Sequence, residues 1–129
     1  MCPRFVIQEH HAKKLHYDFR LEMDGALKSW AVPKVPSKKA DLKRLAIQVE
    51  DHALDYIDFE GEIEEGSYGA GEVKIWDKCA YDIESKREGK IVFHLHGKRL
   101  EGRYTLLKMA WGEDQWLLFK TKKEEKIQK

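Results

Sequence analysis

The sequence predicts an all-β, mainly antiparallel fold of about eight short strands, closed into a small barrel or packed as a sandwich. Period-two alternation of apolar and polar residues dominates, and helix-period patterning is scarce. Turn signals recur every ~8–12 residues, the spacing of hairpin-built sheets. Closure into a barrel also removes the exposed edges that so strand-rich a chain otherwise has to protect.

Residues 5–8 read as the first strand, and His11-Ala12-Lys13-Lys14 as a polar bend. Residues 15–23 and 26–32 flank Asp24-Gly25, a hairpin signal because both residues tolerate positive φ. Pro33 and Pro36 end that ribbon, since neither can donate to a ladder. Residues 37–43 are polar, and one short helical turn is expected there. Residues 44–51 alternate again, with Leu45, Ile47 and Val49 opposite Arg44, Gln48 and Glu50. The glycine-rich stretch FEGEIEEGSYGAGEVKIWDK becomes a strand at 72–76, and a second follows at 79–83. Residues 90–96 and 103–109 form a further hairpin around 97–102, and 115–120 make the last strand. The end, KTKKEEKIQK, is almost devoid of apolar residues, so 121–129 is expected to be a solvated, flexible tail.

At 129 residues the chain fits a single domain, 1–129. That length buries roughly two-thirds of its unfolded surface, enough for a core without staples. Lys plus Arg number 24 against 23 Asp plus Glu, so any nucleic-acid site has to be a local patch rather than a global field. Cys2 and Cys79 form neither a CxxC site nor a disulfide framework, which fits a reducing compartment. No apolar run is long enough to span a bilayer, and MCPRFVIQEH lacks the pattern of a signal peptide. A cytoplasmic monomer without a membrane partner is the expectation.

Chemistry concentrates in LHYDFRLEMDG, residues 15–25. As a strand it places His16, Asp18, Arg20 and Glu22 on one face, with Tyr17, Phe19, Leu21 and Met23 on the other. Residues two apart lie ~6.6–6.8 Å apart along a strand, so His16 and Asp18 can converge on one ion above the sheet. His10, just before the bend, is the candidate third ligand. Two imidazoles and a carboxylate suit Mn²⁺, Fe²⁺ or Zn²⁺ and leave positions open for substrate. Arg20 extends the row and can clamp a phosphate bidentately. The bland alternative is a solvated polar face whose arginine makes an exposed cross-strand ion pair.

A second cluster, QVEDHALDY, holds Glu50, Asp51, His52, Asp55 and Tyr56. Glu50 and His52 share a face at a strand end, so His52 can donate to a phosphate or protonate a leaving oxygen, or can simply be a surface histidine at a turn. EEGSYGAGEV matches neither GxGxxG nor a Walker motif, and its glycines read as bends or bulges at a barrel corner. His94 and His96 share a strand face without a nearby carboxylate in sequence and read as surface or pairing residues. His11 has the opposite parity to His10 and reads as a solvated loop residue.

The long ungapped stretches FVIQEHHAKKLHYDFRLEMDGALKSWAVPKVPS and KRLAIQVEDHALDYIDFEGEIEEGSYGAGEVKIWD, with LLKM and WLLFK further on, resemble the 3'-phosphoesterase domain of bacterial DNA ligase D and its stand-alone archaeal relatives. That resemblance implies a small closed β-barrel with its site in a crescent-shaped groove. It implies a manganese-dependent enzyme, with Co²⁺ or Zn²⁺ as further cofactor candidates, that heals 3' ends of broken nucleic acid. A phosphodiesterase step removes a terminal 3' ribonucleoside; a phosphomonoesterase step then removes the 3'-phosphate and leaves a 3'-OH.

Carried over by motif, His10, His16 and Asp18 are the implied metal ligands. Arg20 and His52 contact the scissile phosphate, with Tyr56 nearby; Lys34 and Arg44 grip the nucleic-acid backbone, and Glu50 orients its neighbours. Glu22 is left a structural part. Ligase D versions carry a longer N-terminal extension that assists the monoesterase step, so that step is expected to be the weaker one here. DNA or DNA/RNA primer–template 3' ends are the implied substrates, with a ligase and a polymerase acting in trans. The rival readings are a catalytically silent 3'-end-binding barrel, a diesterase without the monoesterase step, and an enzyme for a small phosphoester.

Overall fold

The computed structural model describes residues 3–40, 42–66, 70–110 and 112–121. Its strands are β1 (Arg4–His11), β2 (Leu15–Met23), β3 (Ala26–Val32), β4 (Arg44–His52), β5 (Gly61–Ile63), β6 (Gly71–Arg87), β7 (Lys90–His96), β8 (Glu101–Lys108) and β9 (Gln115–Lys120), with a 3₁₀ turn at Leu54–Asp58. The Asp24-Gly25 hairpin forms as the sequence predicts, with φ of 55° and 83° at its two central residues.

Eight strands close into an antiparallel barrel in the order β1-β2-β3-β4-β9-β8-β7-β6, with β6 pairing back onto β1. The short β5 adds a ninth strand against the start of β6. β6 replaces the two strands expected at 72–76 and 79–83: it runs unbroken for 17 residues. Its first half pairs with β1 and its second with β7. The change of partner falls between Ala80, opposite Arg4, and Tyr81, opposite Leu95. Within the first half, the Asp77 carboxylate accepts the backbone N–H groups of Lys98, Arg99 and Leu100 at 2.9–3.0 Å. That cap satisfies the backbone N–H groups of the turn between β7 and β8.

The helical turn also sits elsewhere than expected. Residues 37–40 form no helical turn: Ser37 Oγ accepts from the Lys39 N–H at a bend, Ala40 forms a parallel bridge to Lys120, and Asp41 lies outside the described residues. The 3₁₀ turn at Leu54–Asp58 is the one helical segment among the described residues.

Strand alternation sorts the residues into two layers. Phe5, Ile7, Phe19, Leu21, Trp30, Phe93 and Tyr104 fill the barrel interior. Burying each such side chain contributes about 1.5–3 kcal/mol. The opposite parity faces outward, yet Val6 and Leu27 are fully buried there. Ile57 of the 3₁₀ turn packs on both as a second, smaller core. The segment after β4 therefore wraps one end of the outer face of β1–β3, and that wrap creates the site. In β4 the polarity inverts: Ala46 is buried inside, while Leu45 and Val49 stand 36% and 37% exposed on the outer row.

Candidate metal and phosphate site

The bend after β1 folds β2 back so that His10 pairs directly with His16, and Gln8 with Asp18. Directly paired residues point the same way, so His10, His16 and Asp18 share the outer face. Their ligating atoms all lie within 4.8 Å of one another. His10 Nδ1 is 3.3 Å from Asp18 Oδ2, and His16 Nε2 is 3.2 Å from Asp18 Oδ1. His16 Nδ1 lies 3.1 Å from the Lys14 carbonyl, which can only accept. In the neutral ring the proton therefore sits on Nδ1 and the Nε2 lone pair faces Asp18, the orientation a metal-binding histidine needs. Burial works to raise the Asp18 pKa, but His16, Arg20 and His10 outweigh it and hold the carboxyl below its ordinary range. The hydrogen bond to Asp18, against the cost of burial, raises the pKa of His16. Two imidazoles and an ionised carboxylate form a donor set that can hold a divalent metal ion.

Arg20 is not an exposed ion-pair residue. It is 4% exposed, and its guanidinium is held by several partners while still lining the groove. Nε donates to Gln8 Oε1 at 2.7 Å, Nη1 donates to Ser29 Oγ at 2.8 Å, and Nη2 lies 3.4 Å from Asp18 Oδ2. Nη1 also meets His52 Nδ1 at 3.1 Å, and the guanidinium carbon stands 5.0 Å from the Tyr56 ring centre. His52, Tyr56 and Phe59 form a ring stack with centroid spacings of 4.7 and 4.9 Å. Burial first, and the Arg20 charge second, lower the pKa of His52; burial raises that of Tyr56.

These groups line one groove of about 690 Å³, formed by His10, His16, Asp18, Arg20, Glu50, His52 and Tyr56 with apolar walls from Ala31, Val49 and Ile63. Lys34 and Arg44 are not among its lining residues: Lys34 is exposed beyond β3, and the Arg44 guanidinium donates to the Val35 carbonyl at 2.7 Å. Glu22, further along the same row, is not among the lining residues and accepts the Arg4 backbone N–H at 2.9 Å. His94 and His96 pair across β6–β7 with Glu84 and Asp82, carboxylates remote in sequence. Exposed His11 pairs with Glu9.

Sequence reasoning missed Gln8. It is fully buried, receives Arg20, and donates Nε2 to the Tyr56 and Phe59 carbonyls at 3.1 and 3.2 Å. Its parity with His10 on β1 was the available signal. Of the glycines in the rich stretch, Gly69 lies outside the described residues. Gly71, at φ 133°, lets β6 approach β1 so closely that a Cβ there would run into the His11 carbonyl oxygen.

A family model described as the DNA Ligase D 3'-phosphoesterase domain matches residues 8–108. The chain belongs to that family. The span matched to the phosphoesterase model includes Gln8 and every groove residue named above. The multifunctional non-homologous end joining protein LigD of Pseudomonas aeruginosa is 50% identical over 129 residues, a match covering 95% of this chain and 15% of the relative. The LigD proteins of Mycobacterium bovis and Mycolicibacterium smegmatis are 49% and 44% identical, each match covering 95% of this chain and 17% of theirs. The phosphoesterase chain thus spans about a sixth of these relatives' length. Among its described residues no helix is long and apolar enough to cross a membrane.

Proposed function

We propose that the chain is a manganese-dependent 3'-end-healing phosphoesterase, acting on DNA or DNA/RNA primer–template ends. It removes a 3'-terminal ribonucleoside as a phosphodiesterase and then the 3'-phosphate as a phosphomonoesterase, leaving a 3'-OH for a ligase and a polymerase. The observation that carries the reading is the position of Asp18: it touches both imidazoles of the candidate metal cluster on one side and the Arg20 guanidinium on the other. A metal site and a phosphate site thereby share one groove.

His10, His16 and Asp18 would hold the ion, which when bound supplies Lewis-acid polarisation of a phosphate oxygen. Arg20 is held by Gln8 and Ser29 before any substrate arrives. A pre-oriented guanidinium stabilises charge developing on the phosphoryl oxygens without reorganising. His52 donates a second hydrogen bond to that group, and the Tyr56 hydroxyl bounds the pocket from the wrapped segment. Glu50 lines the rim and orients its neighbours, while Lys34 and Arg44 contact the polymer outside the groove.

The test is incubation with Mn²⁺ and a primer–template ending in one 3' ribonucleotide, followed by product length and 3'-end chemistry. The expected products are first a 3'-phosphate and then a 3'-OH primer one residue shorter. An unchanged primer under Mn²⁺, Co²⁺ and Zn²⁺ would overturn the enzymatic reading in favour of a silent end binder.

A further inference from the structure

The groove is walled at one end and open at another. The wrap carries Tyr56 and Ile63 over the β1–β2 side, so a polymer leaving the metal cluster there meets protein. On the β3–β4 side the sheet is more open, with Leu45 and Val49 exposed and Ala31 and Ile47 partly so. Ala31 and Val49 line the groove, and Ala31 pairs with Ile47, which continues the outer row to Leu45. Leu45 pairs with Leu117 of β9, so the two share that outer face. Of the six large apolar side chains that stand exposed among the described residues, Leu45 and Val49 lie on this row, and Val35 and Leu42 belong to the connector that leads into it.

Charge gives the face a direction. At the Val49 end stand Glu50, Asp51 and Asp114. At the Leu45 end the connector 33–44 carries Lys34, Lys38, Lys39, Lys43 and Arg44 against one acidic residue, Asp41. The Lys43 ammonium sits 5.0 Å over the Phe119 ring of β9, so cation and apolar surface meet there. The second end attracts a polyanion, while at the first, next to the groove, the Asp51 charge is offset by its ion pair with Lys28.

We infer that the outer face of β4 and β9, from Val49 to Leu45 and Leu117, is the track for the nucleic-acid strand that carries the 3' end. Sugars and bases rest on the apolar row, phosphates lie toward the 33–44 connector, and the leaving 3' nucleoside sits against Tyr56 and Ile63. This rests on the proposed phosphoesterase reading and adds the path and polarity of the bound strand. Positively charged grooves with aromatic platforms bind single strands with little sequence preference, and Phe119 under Lys43 is such a platform on this face.

The test compares the wild type with the double variant Leu45→Glu/Leu117→Glu, and with Leu45→Ser/Leu117→Ser should the charged pair fail to fold. Two quantities are read. One is the Kd of a fluorescent primer–template ending in a 3' ribonucleotide; the other is Mn²⁺-dependent turnover of bis(p-nitrophenyl) phosphate, too small to reach β9. The expected result is a Kd weakened about tenfold with small-diester turnover unchanged. An unchanged Kd overturns the track. So does an unchanged Kd with altered sedimentation, which would assign the face to a second copy of the chain. If the wild type hydrolyses neither substrate, the phosphoesterase reading fails while the Kd comparison still decides the track.

Discussion

The Arg20 guanidinium meets Nδ1 of His52 across 3.1 Å. A guanidinium has no acceptor, so that imidazole nitrogen must be unprotonated, and the neutral ring carries its hydrogen on Nε2. His52 thus suits a hydrogen-bond donor to phosphate better than the cationic general acid its unperturbed pKa suggests. Glutamine offers an N–H at a position similar to Nε2. His52→Gln is therefore expected to retain activity within about tenfold, whereas His52→Ala should lose about 10²–10³ in kcat, the usual cost of one oriented donor. Equal losses in steady-state assays of the two variants would restore the general-acid role.

The same contact has a pH signature. Burial and Arg20 both lower the His52 pKa from its ordinary 6.5. Between that depressed value and 6.5 the unfolded chain binds more protons at this site than the folded one. The contribution to stability is therefore fully present above pH 6.5 and is lost as pH falls through the lowered value. NMR titration should find His52 titrating below 6.5 in the metal-free protein, and Arg20→Gln should move it upward without fully restoring 6.5, since burial remains. A wild-type value at or above 6.5 would contradict the geometry.

His16→Ala and Asp18→Ala are each expected to abolish both esterase steps while the barrel stays folded, because Arg20 keeps Gln8, Ser29 and His52 as partners. Full activity in either purified variant would sink the metal assignment. Thermal denaturation gives a readout free of turnover. Mn²⁺ at a hundredfold excess over its Kd stabilises a one-site protein by ~2.7 kcal/mol, and that gain should vanish in both variants.

Gln8→Ala removes the group that joins Arg20 to the wrapped segment. It leaves one guanidinium N–H and two carbonyls without their partner at a fully buried position. Each unpaired buried group costs about 1–3 kcal/mol, so urea denaturation should show a loss of at least that size. Activity should fall through kcat, since the damage is to the aim of Arg20. A variant as stable and as active as the wild type would remove Gln8 from the site's support.

Much of this was legible because β2 is unusually plain. Its inner row is wholly apolar and its outer row wholly ionisable, so parity alone aligned His16, Asp18 and Arg20. The Asp24-Gly25 turn was equally readable from its φ requirements. β4 was harder: Leu45, Ile47 and Val49 resemble a core row, but the interior is already filled by Trp30 and Trp116, whose rings meet at 5.7 Å, and small Ala46 is the inward residue opposite Trp116. Nor does local pattern show that Val6 and Leu27, on the outer parity, are buried, because their cover is the 3₁₀ turn some 30 to 50 residues further along the chain. Residues 72–87 lack a break because β6 passes directly from β1 to β7 as its ladder partner at Ala80/Tyr81, a long-range exchange with no local signature.

The three candidate metal ligands come from one hairpin, with His10 and Asp18 only eight positions apart, whereas Arg20 and His52 are 32 apart. Hairpins form in ~1–10 μs, while non-local pairing waits on costly loop closure. The cation site can therefore assemble in a chain whose barrel is still open, well before the phosphate half exists. On the proposed reading, manganese would then have some affinity for incompletely folded molecules, and the stabilisation it confers would fall short of what its native affinity alone gives. Refolding started with and without Mn²⁺ should reveal this as an early metal-dependent phase that survives His52→Ala and disappears in Asp18→Ala.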